Sequence, residues 1–325
     1  MGWFVFLPLI LPLTAVPIAR LAEQHLHPRT ATRLLTVVAA VMAVCSTVCL
    51  VLLMVVGTAQ LPGNPLPDGW SDPEVRDAVP YDGVVGRASI PALLAVVVAC
   101  GRTLRHHVRV RRRAHGALAG LPGTSVAVLP DDLPYAYALP GGRRGGRGRV
   151  VVTTALLDHL EPAERRALFA HERAHLTGLH HRYLLTVHLA ARANPFLRPL
   201  RTAVVYTAER WADEGAARVV GSRRVVARAI GKAALVSRRA PTADLARAPG
   251  LAGVGGLAGF AAPGPVPRRV AALLDPAPVA RSWPPVYTSV GLAAWGAAAG
   301  AAVSAMSSAN SAVTMFFILA AATPL

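Results

Sequence analysis

Apolar residues gather into long runs at 3–19, 34–56, 84–100 and 286–306, each close to the length that crosses a bilayer as a helix. The second and fourth runs contain no charged side chain, whereas the third carries Arg87 near one end, which is tolerable where that arginine reaches the interface. Prolines interrupt the first run. A cleaved signal peptide is the rival reading of that run, but no positive charge precedes it, so it reads as a span. The apolar tail 312–322 is too short to cross alone and suggests a half-helix or a bent hairpin with the fourth run.

Between the third and fourth runs the pattern changes. Short β-prone segments at 125–129, 135–139 and 149–153 suit a small antiparallel sheet, joined by Pro130-Asp131-Asp132 and by a turn rich in glycine and arginine. Glu161-Pro162-Ala163-Glu164 then signals a helix start, because early N–H groups lack partners and favour acidic residues and proline. The helix should run from Pro162 to about Thr177 and stop at Gly178. A shorter helix, a break at Asn194-Pro195 and a second long helix over about 202–220 follow. The stretch 240–267, rich in Ala, Gly and Pro, reads as a linker. The expected organisation is three spans in 1–101, a water-exposed region in 102–283, and a return to the membrane in 284–325. The fold class is therefore a mainly α polytopic membrane protein with an α+β, zincin-like region.

Candidate chemistry lies on the Pro162 helix, which contains His171-Glu172-Arg173-Ala174-His175. Residues four apart share a helix face, so both imidazoles can bind one Zn2+ while the carboxylate of Glu172 reaches its water. Catalytic zinc takes a third protein ligand. Glu209 is the candidate, with Asp213 one turn later placed to accept a hydrogen bond from a ligand imidazole. A lone Glu-x-x-x-Asp is usually a solvated helix face; its position after His-Glu-x-x-His changes that reading. His180 and His181 follow the helix end and read as solvated or interfacial, and His106, His107 and His159 have no partner pattern.

Leu156-Leu157, Ala163 to Ala167, the histidine motif and Glu209-Arg210-Trp211-Ala212-Asp213 together resemble membrane metallopeptidases related to the β-lactam-sensing BlaR/MecR antirepressors. The resemblance extends to the heat-shock-type and prenyl-protein-processing membrane metalloproteases. It implies a zinc endopeptidase with His171, His175 and Glu209 as ligands, Glu172 as catalytic carboxylate and Asp213 behind them. It also implies an edge strand that pairs with an extended protein or peptide substrate, either a winged-helix transcriptional repressor or the chain itself. Quality control of membrane proteins and a catalytically silent scaffold are the alternatives. Tyr135-Ala136-Tyr137-Ala138 stands where the family often places an Asn-Ala pair, which bears on substrate positioning. With only a short remainder after the fourth run, direct β-lactam sensing through a penicillin-binding domain is not expected.

Charge sets orientation and partners. The connection after the first run carries Arg20, Arg29 and Arg33, the next one carries Asp68, Asp72, Glu74 and Asp77 against Arg76, and an arginine-rich run occupies 102–113. An excess of arginine marks the cytoplasmic side, so the site should face the cytoplasm from a multi-pass protein of the plasma membrane. A net charge of +17 invites a nucleic-acid reading. No aromatic platform interleaves the basic residues, and the densest run abuts a span, so an anionic lipid surface is the expected partner and nucleic acid is not. Cys45, Cys49 and Cys100 fall in apolar runs and read as packing residues.

Overall fold

The computed structural model describes residues 5–64, 66–73, 75, 82–142, 148–239, 266–278 and 287–323. The expected linker, apart from its last two residues, and the Gly/Arg-rich turn at 143–147 lie outside the described residues. The helices are α1 (Leu7–Ile10), α2 (Ala15–His25), α3 (Pro28–Ala59), α4 (Asp82–Ala117), α5 (Thr154–Asp158), α6 (Pro162–Thr177), α7 (His180–Ala193), α8 (Arg198–Val220), α9 (Arg223–Arg239), α10 (Val266–Leu274) and α11 (Ser289–Ala321).

Among the described residues three helices are long and apolar enough to cross a membrane: α3, Gly83–Ala117 of α4, and Gly291–Ala321 of α11. The described part of the first apolar run is broken into α1, a 3-10 turn at Leu11–Thr14, and α2. Pro8, Pro12 and Pro17 stand in the opening turns of these pieces, where a missing N–H donor is tolerated but a continuous ladder is not. The tail forms no hairpin: residues 312–321 prolong the fourth run as one helix, since no proline or glycine interrupts the α11 ladder there.

Gly57 and Gly86 fix the antiparallel contact of α3 with α4, because a Cβ on either would collide with the other's backbone. α11 runs alongside α3, with Ser308 Oγ donating to the Cys45 carbonyl at 3.4 Å, and its far end meets the loop after α3 through Trp70 Nε1–Thr323 Oγ1 at 2.9 Å. Hence the start of α3, the end of α4 and the start of α11 lie at one end of the bundle. Cys45 and Cys49 are free and buried, as packing residues should be.

Three strands form the sheet: β1 (Val126–Leu129), β2 (Ala136–Leu139) and β3 (Arg149–Thr153), in the order β1-β3-β2. It is mixed, which corrects the antiparallel expectation. β2 pairs antiparallel with β3 in the register Ala136↔Val152, whereas β1 pairs parallel with β3 in the register Val126↔Val150. Two chain reversals separate β1 from β3, so the central strand points the same way as the first. Val150, Val151 and Val152 are wholly buried in that central strand.

α6 has the predicted limits. Glu161 and Glu164 form a capping box, with the Glu161 N–H donating to the Glu164 carboxylate at 2.9 Å, and the Gly178 N–H closes the helix on the Ala174 carbonyl at 2.8 Å. Lys232 of α9 adds an ion pair to Glu164 at 2.8 Å. Leu179 takes a left-handed conformation, φ 54°, and turns the chain into α7. At the far end of α7, Asn194 accepts from the Phe196 N–H, and a 3-10 turn runs straight into α8. α8 therefore begins at Arg198, earlier than predicted, with Pro199 in its first turn where proline's fixed φ suits a helix.

Candidate metal centre

α6 places His171 and His175 one turn apart on its buried face, with their Nε2 atoms 3.1 Å from each other. α8 crosses beside them and brings Glu209, whose Oε2 lies 3.5 Å from His171 Nε2 and whose Oε1 lies 3.4 Å from His175 Nε2. Atoms bound at about 2.0–2.2 Å to a single tetrahedral ion stand roughly 3.3–3.6 Å apart. One donor atom from each of the three residues lies within 4.8 Å of the others, close to that spacing, and their chemistry, two imidazoles and a carboxylate, suits zinc. Glu172, the next residue along α6, is fully buried at the same place.

Each imidazole has a partner behind it. His171 Nδ1 lies 3.0 Å from Oδ1 of Asp213, the carboxylate one turn past Glu209. His175 Nδ1 lies 2.8 Å from His180 Nδ1. His180 is completely buried, which corrects its reading as a solvated or interfacial residue. The cause is local: after Gly178 ends α6, Leu179 reverses the chain and drops the next side chain onto His175. Trp211 of α8 then covers His180 at a ring-centroid distance of 4.4 Å, and Arg29 and Arg33 of α3 sit 5.6 Å from the Trp211 ring on its outer side. His181 is partly exposed, and no close contact joins it to the cluster.

Arg269 of α10 joins the centre without any local sequence signal. Its guanidinium donates twice to Asp213, at 2.9 and 2.7 Å, and Nη1 reaches Glu209 Oε2 at 2.9 Å, all at 1% exposure. Its neighbour Arg268 is 57% exposed, pairs with Glu23 of α2 at 2.8 Å and lies over Tyr206 at 4.3 Å. Nothing in the Arg268-Arg269 pair separates the buried guanidinium from the surface one. The available signal was indirect: Asp213 and Glu209 buried together require a cation beyond the histidines.

The electrostatics follow from this packing. Burial opposes charge on Glu209 and Asp213, yet Arg269 and the facing histidines hold both carboxyls below the usual carboxylate range. Burial likewise opposes charge on His171, but Asp213 and Glu209 draw its pKa up to about 9. Burial drives His175 well below the ordinary histidine value despite Glu209, and takes His180 down to about 4. The pocket thus favours positive charge beside His171 and Glu209 and a neutral imidazole at His180.

Residues 102–192 match Peptidase family M48. The chain is 43% identical over 60 residues to "Protease HtpX homolog 2" of Methanosarcina mazei and 41% identical over 70 residues to "Protease HtpX homolog" of Moorella thermoacetica. It is 31% identical over 171 residues to "Protease HtpX homolog" of Acidiphilium cryptum. These matches take in 18%, 22% and 41% of this chain, and the chain spans 20%, 22% and 58% of the relatives' own lengths. No solved structure matches. The family match contains His171, Glu172, His175 and His180, whereas Glu209, Asp213 and Arg269 lie beyond it and join them through the fold. The part of the chain that matches peptidase family M48 thus packs among helices long and apolar enough to cross a membrane.

Proposed function

We propose that this protein is a membrane-embedded zinc endopeptidase, with His171, His175 and Glu209 holding the ion and Glu172 as the catalytic carboxylate. The observation that carries this reading is the convergence of three buried donors at 3.1–3.5 Å, with a partner behind each imidazole. Similarity to proteases, over the part of the chain that holds the histidine motif, favours an enzyme over a silent scaffold. A bound zinc ion would polarise the scissile carbonyl and make water a better acid. Glu172 takes the proton of the attacking water and returns it to the leaving amide nitrogen. Asp213 keeps the His171 ring oriented, and His180 does the same for His175. The resemblance implies main-chain pairing of an extended substrate with a sheet edge beside α6; β2 holds that place, with its residues buried, so a substrate has to displace what covers them.

Orientation rests on the arginines. The start of α3 with Arg29 and Arg33, and the end of α4 with its basic run, lie at the end of the bundle that carries the site, so the site faces the cytoplasm. Cleavage of a winged-helix repressor, or of the chain itself, is what the resemblance to the antirepressors implies; the relatives that the chain matches are HtpX homologues. A second reading, quality control of membrane proteins, is favoured by an almost wholly apolar groove of about 500 Å³ between α3 and α7 that suits side chains of another membrane segment. The division into 1–101, 102–283 and 284–325 belongs to the same proposal.

The test is cleavage of a casein-like substrate and of the protein itself by detergent-purified wild type, by Glu172→Gln and by chelator-treated wild type. Loss of cleavage in the last two, with zinc still stoichiometric in Glu172→Gln, is the expected result. Full activity in Glu172→Gln overturns the assignment.

A further inference from the structure

The basic run of α4 does not simply line a solvated face. Arg102, Arg105 and Arg109 follow at helical spacing and share one side of α4, where they border a cavity of about 740 Å³ facing α7. Across it stand His188 and Arg192 of α7. No Asp or Glu lines this cavity, and none of these four arginines is ion-paired among the described residues. Where carboxylates are near, cations of the region are paired: Arg210 and Arg223 with Glu214, Lys232 with Glu164, and Arg269 with Asp213. Burial, followed by the fields of Arg201 and Arg192, takes the His188 pKa down to about 4.

Depth argues for the source of the missing anion. α4 has 36 residues, a length of about 54 Å, whereas a bilayer's hydrocarbon core takes roughly 30 Å. If its apolar half 82–101 crosses, Arg102 stands at the boundary and the rest projects from the membrane. The cavity floor on the other side of Arg102 is apolar, formed by Ala95, Val98 and Ala99, and leads to the exposed Leu94 and Val97. α7 stands beside the same turn of α4, with Cys100 Sγ donating to the Leu189 carbonyl at 3.7 Å, so its second half lies at the depth of Arg102. Along the α4 wall the cavity is cationic at its outer end and apolar at its inner end, and Arg192 of α7, one turn beyond the Leu189 carbonyl, adds a cation close to Arg102 at the boundary between the two.

We propose that the α4–α7 cavity is a binding site for the phosphodiester headgroup of an anionic phospholipid, held by Arg102, Arg105, Arg109 and Arg192. Guanidinium forks match phosphate oxygens in pairs, and a lining without carboxylates has nothing to hold the amine of a zwitterionic headgroup. This rests on the reading that α4 crosses a bilayer, and is independent of peptidase activity. The cavity has the volume of a small-molecule site, which separates it from diffuse attraction to a charged surface.

The experiment uses the full-length Glu172→Gln protein in detergent and phosphatidylglycerol with a fluorescent acyl tail, with phosphatidylcholine and inorganic phosphate as comparison ligands. Phosphatidylglycerol should bind well above phosphatidylcholine, and Arg102→Gln/Arg105→Gln/Arg109→Gln should weaken it roughly a hundredfold. Arg112→Gln/Arg113→Gln/Arg166→Gln removes the same charge outside the cavity and should change it less than about threefold. Equal losses in the two triple variants would overturn the site in favour of general surface charge. Equal binding of both lipids, with phosphate displacing either, would overturn it in favour of a free anion. Should the cavity triple fail to fold, Arg192→Gln on the facing helix carries the test, with a loss of about fivefold to tenfold expected and an unchanged affinity refuting the proposal. Carbonate extraction of membranes checks the spanning reading separately.

Discussion

Two clusters of charge, the α6–α8–α10 centre and the α4–α7 cavity, differ in what balances them. In the centre the charges of α8 and α10 are buried and matched: Arg269 answers Asp213 and Glu209, and Asp213 in turn faces His171. In the cavity the arginines are exposed and no carboxylate among the lining residues answers them. Burying a charge is so costly that it is tolerated only with a partner in good geometry, and that requirement also fixes where both partners stand. An exposed cation carries no such penalty and is free to meet a ligand. The first cluster is therefore preorganised by the fold, and the second is completed from outside.

The largest expected contrast comes from removing one cation from each cluster. Arg269→Leu leaves two carboxylates buried without their counter-charge and should destabilise the full-length protein in detergent by about 3–5 kcal/mol in thermal unfolding. Arg105→Gln, on the exposed wall of the cavity, should stay within about 0.5 kcal/mol in the same measurement. Equal effects would erase the distinction between the clusters.

His180 tests how far the centre's organisation extends beyond its ligands. With His180→Ala the partner of His175 is lost, and zinc affinity, read by competition with a chromogenic chelator, should fall about tenfold to a hundredfold. His180→Gln keeps a polar group there and should recover part of that loss. An unchanged affinity in His180→Ala would leave His180 as packing under Trp211 alone.

A smaller effect concerns the helix that carries the motif. Glu164 is buried and accepts from the Glu161 N–H and from Lys232. Burial alone would raise its pKa, but Lys232, the Glu161 N–H and Arg228 lower it overall. Since the folded value lies below the unfolded one, the stabilisation is complete above the normal carboxylate range and is lost as pH falls through the folded value. Glu164→Gln should lower stability by about 1 kcal/mol near neutral pH and flatten the acid side of the stability profile. A profile as steep as that of wild type would remove Glu164 from the acid response.

Much of the centre was legible because it is written at helical spacing. His171 and His175, and Glu209 and Asp213, are pairs one turn apart on their helices, and the limits of α6 are set by Pro162, the Glu161–Glu164 box and Gly178, all local signals. The long apolar runs were legible for the same reason, since span length and lack of charge are properties of contiguous residues. The parallel pairing of β1 was not, because strand order depends on which edge the first strand takes once the third lies in the middle. His180 was missed by a single backbone angle, the left-handed Leu179 that folds it inward. Arg269 was hidden by distance: it enters from α10, 56 residues after Asp213, and resembles its exposed neighbour until the packing separates them.

By itself the sequence determined the apolar helices, the histidine helix and the residue types that can hold a cation, since these depend on composition and on periods of a few residues. Only the tertiary structure decided which arginine neutralises the centre, which histidine supports His175, and that the basic face of α4 encloses a cavity with α7. The physical reason is that desolvation and charge pairing act between side chains close in space, whatever the length of chain between them.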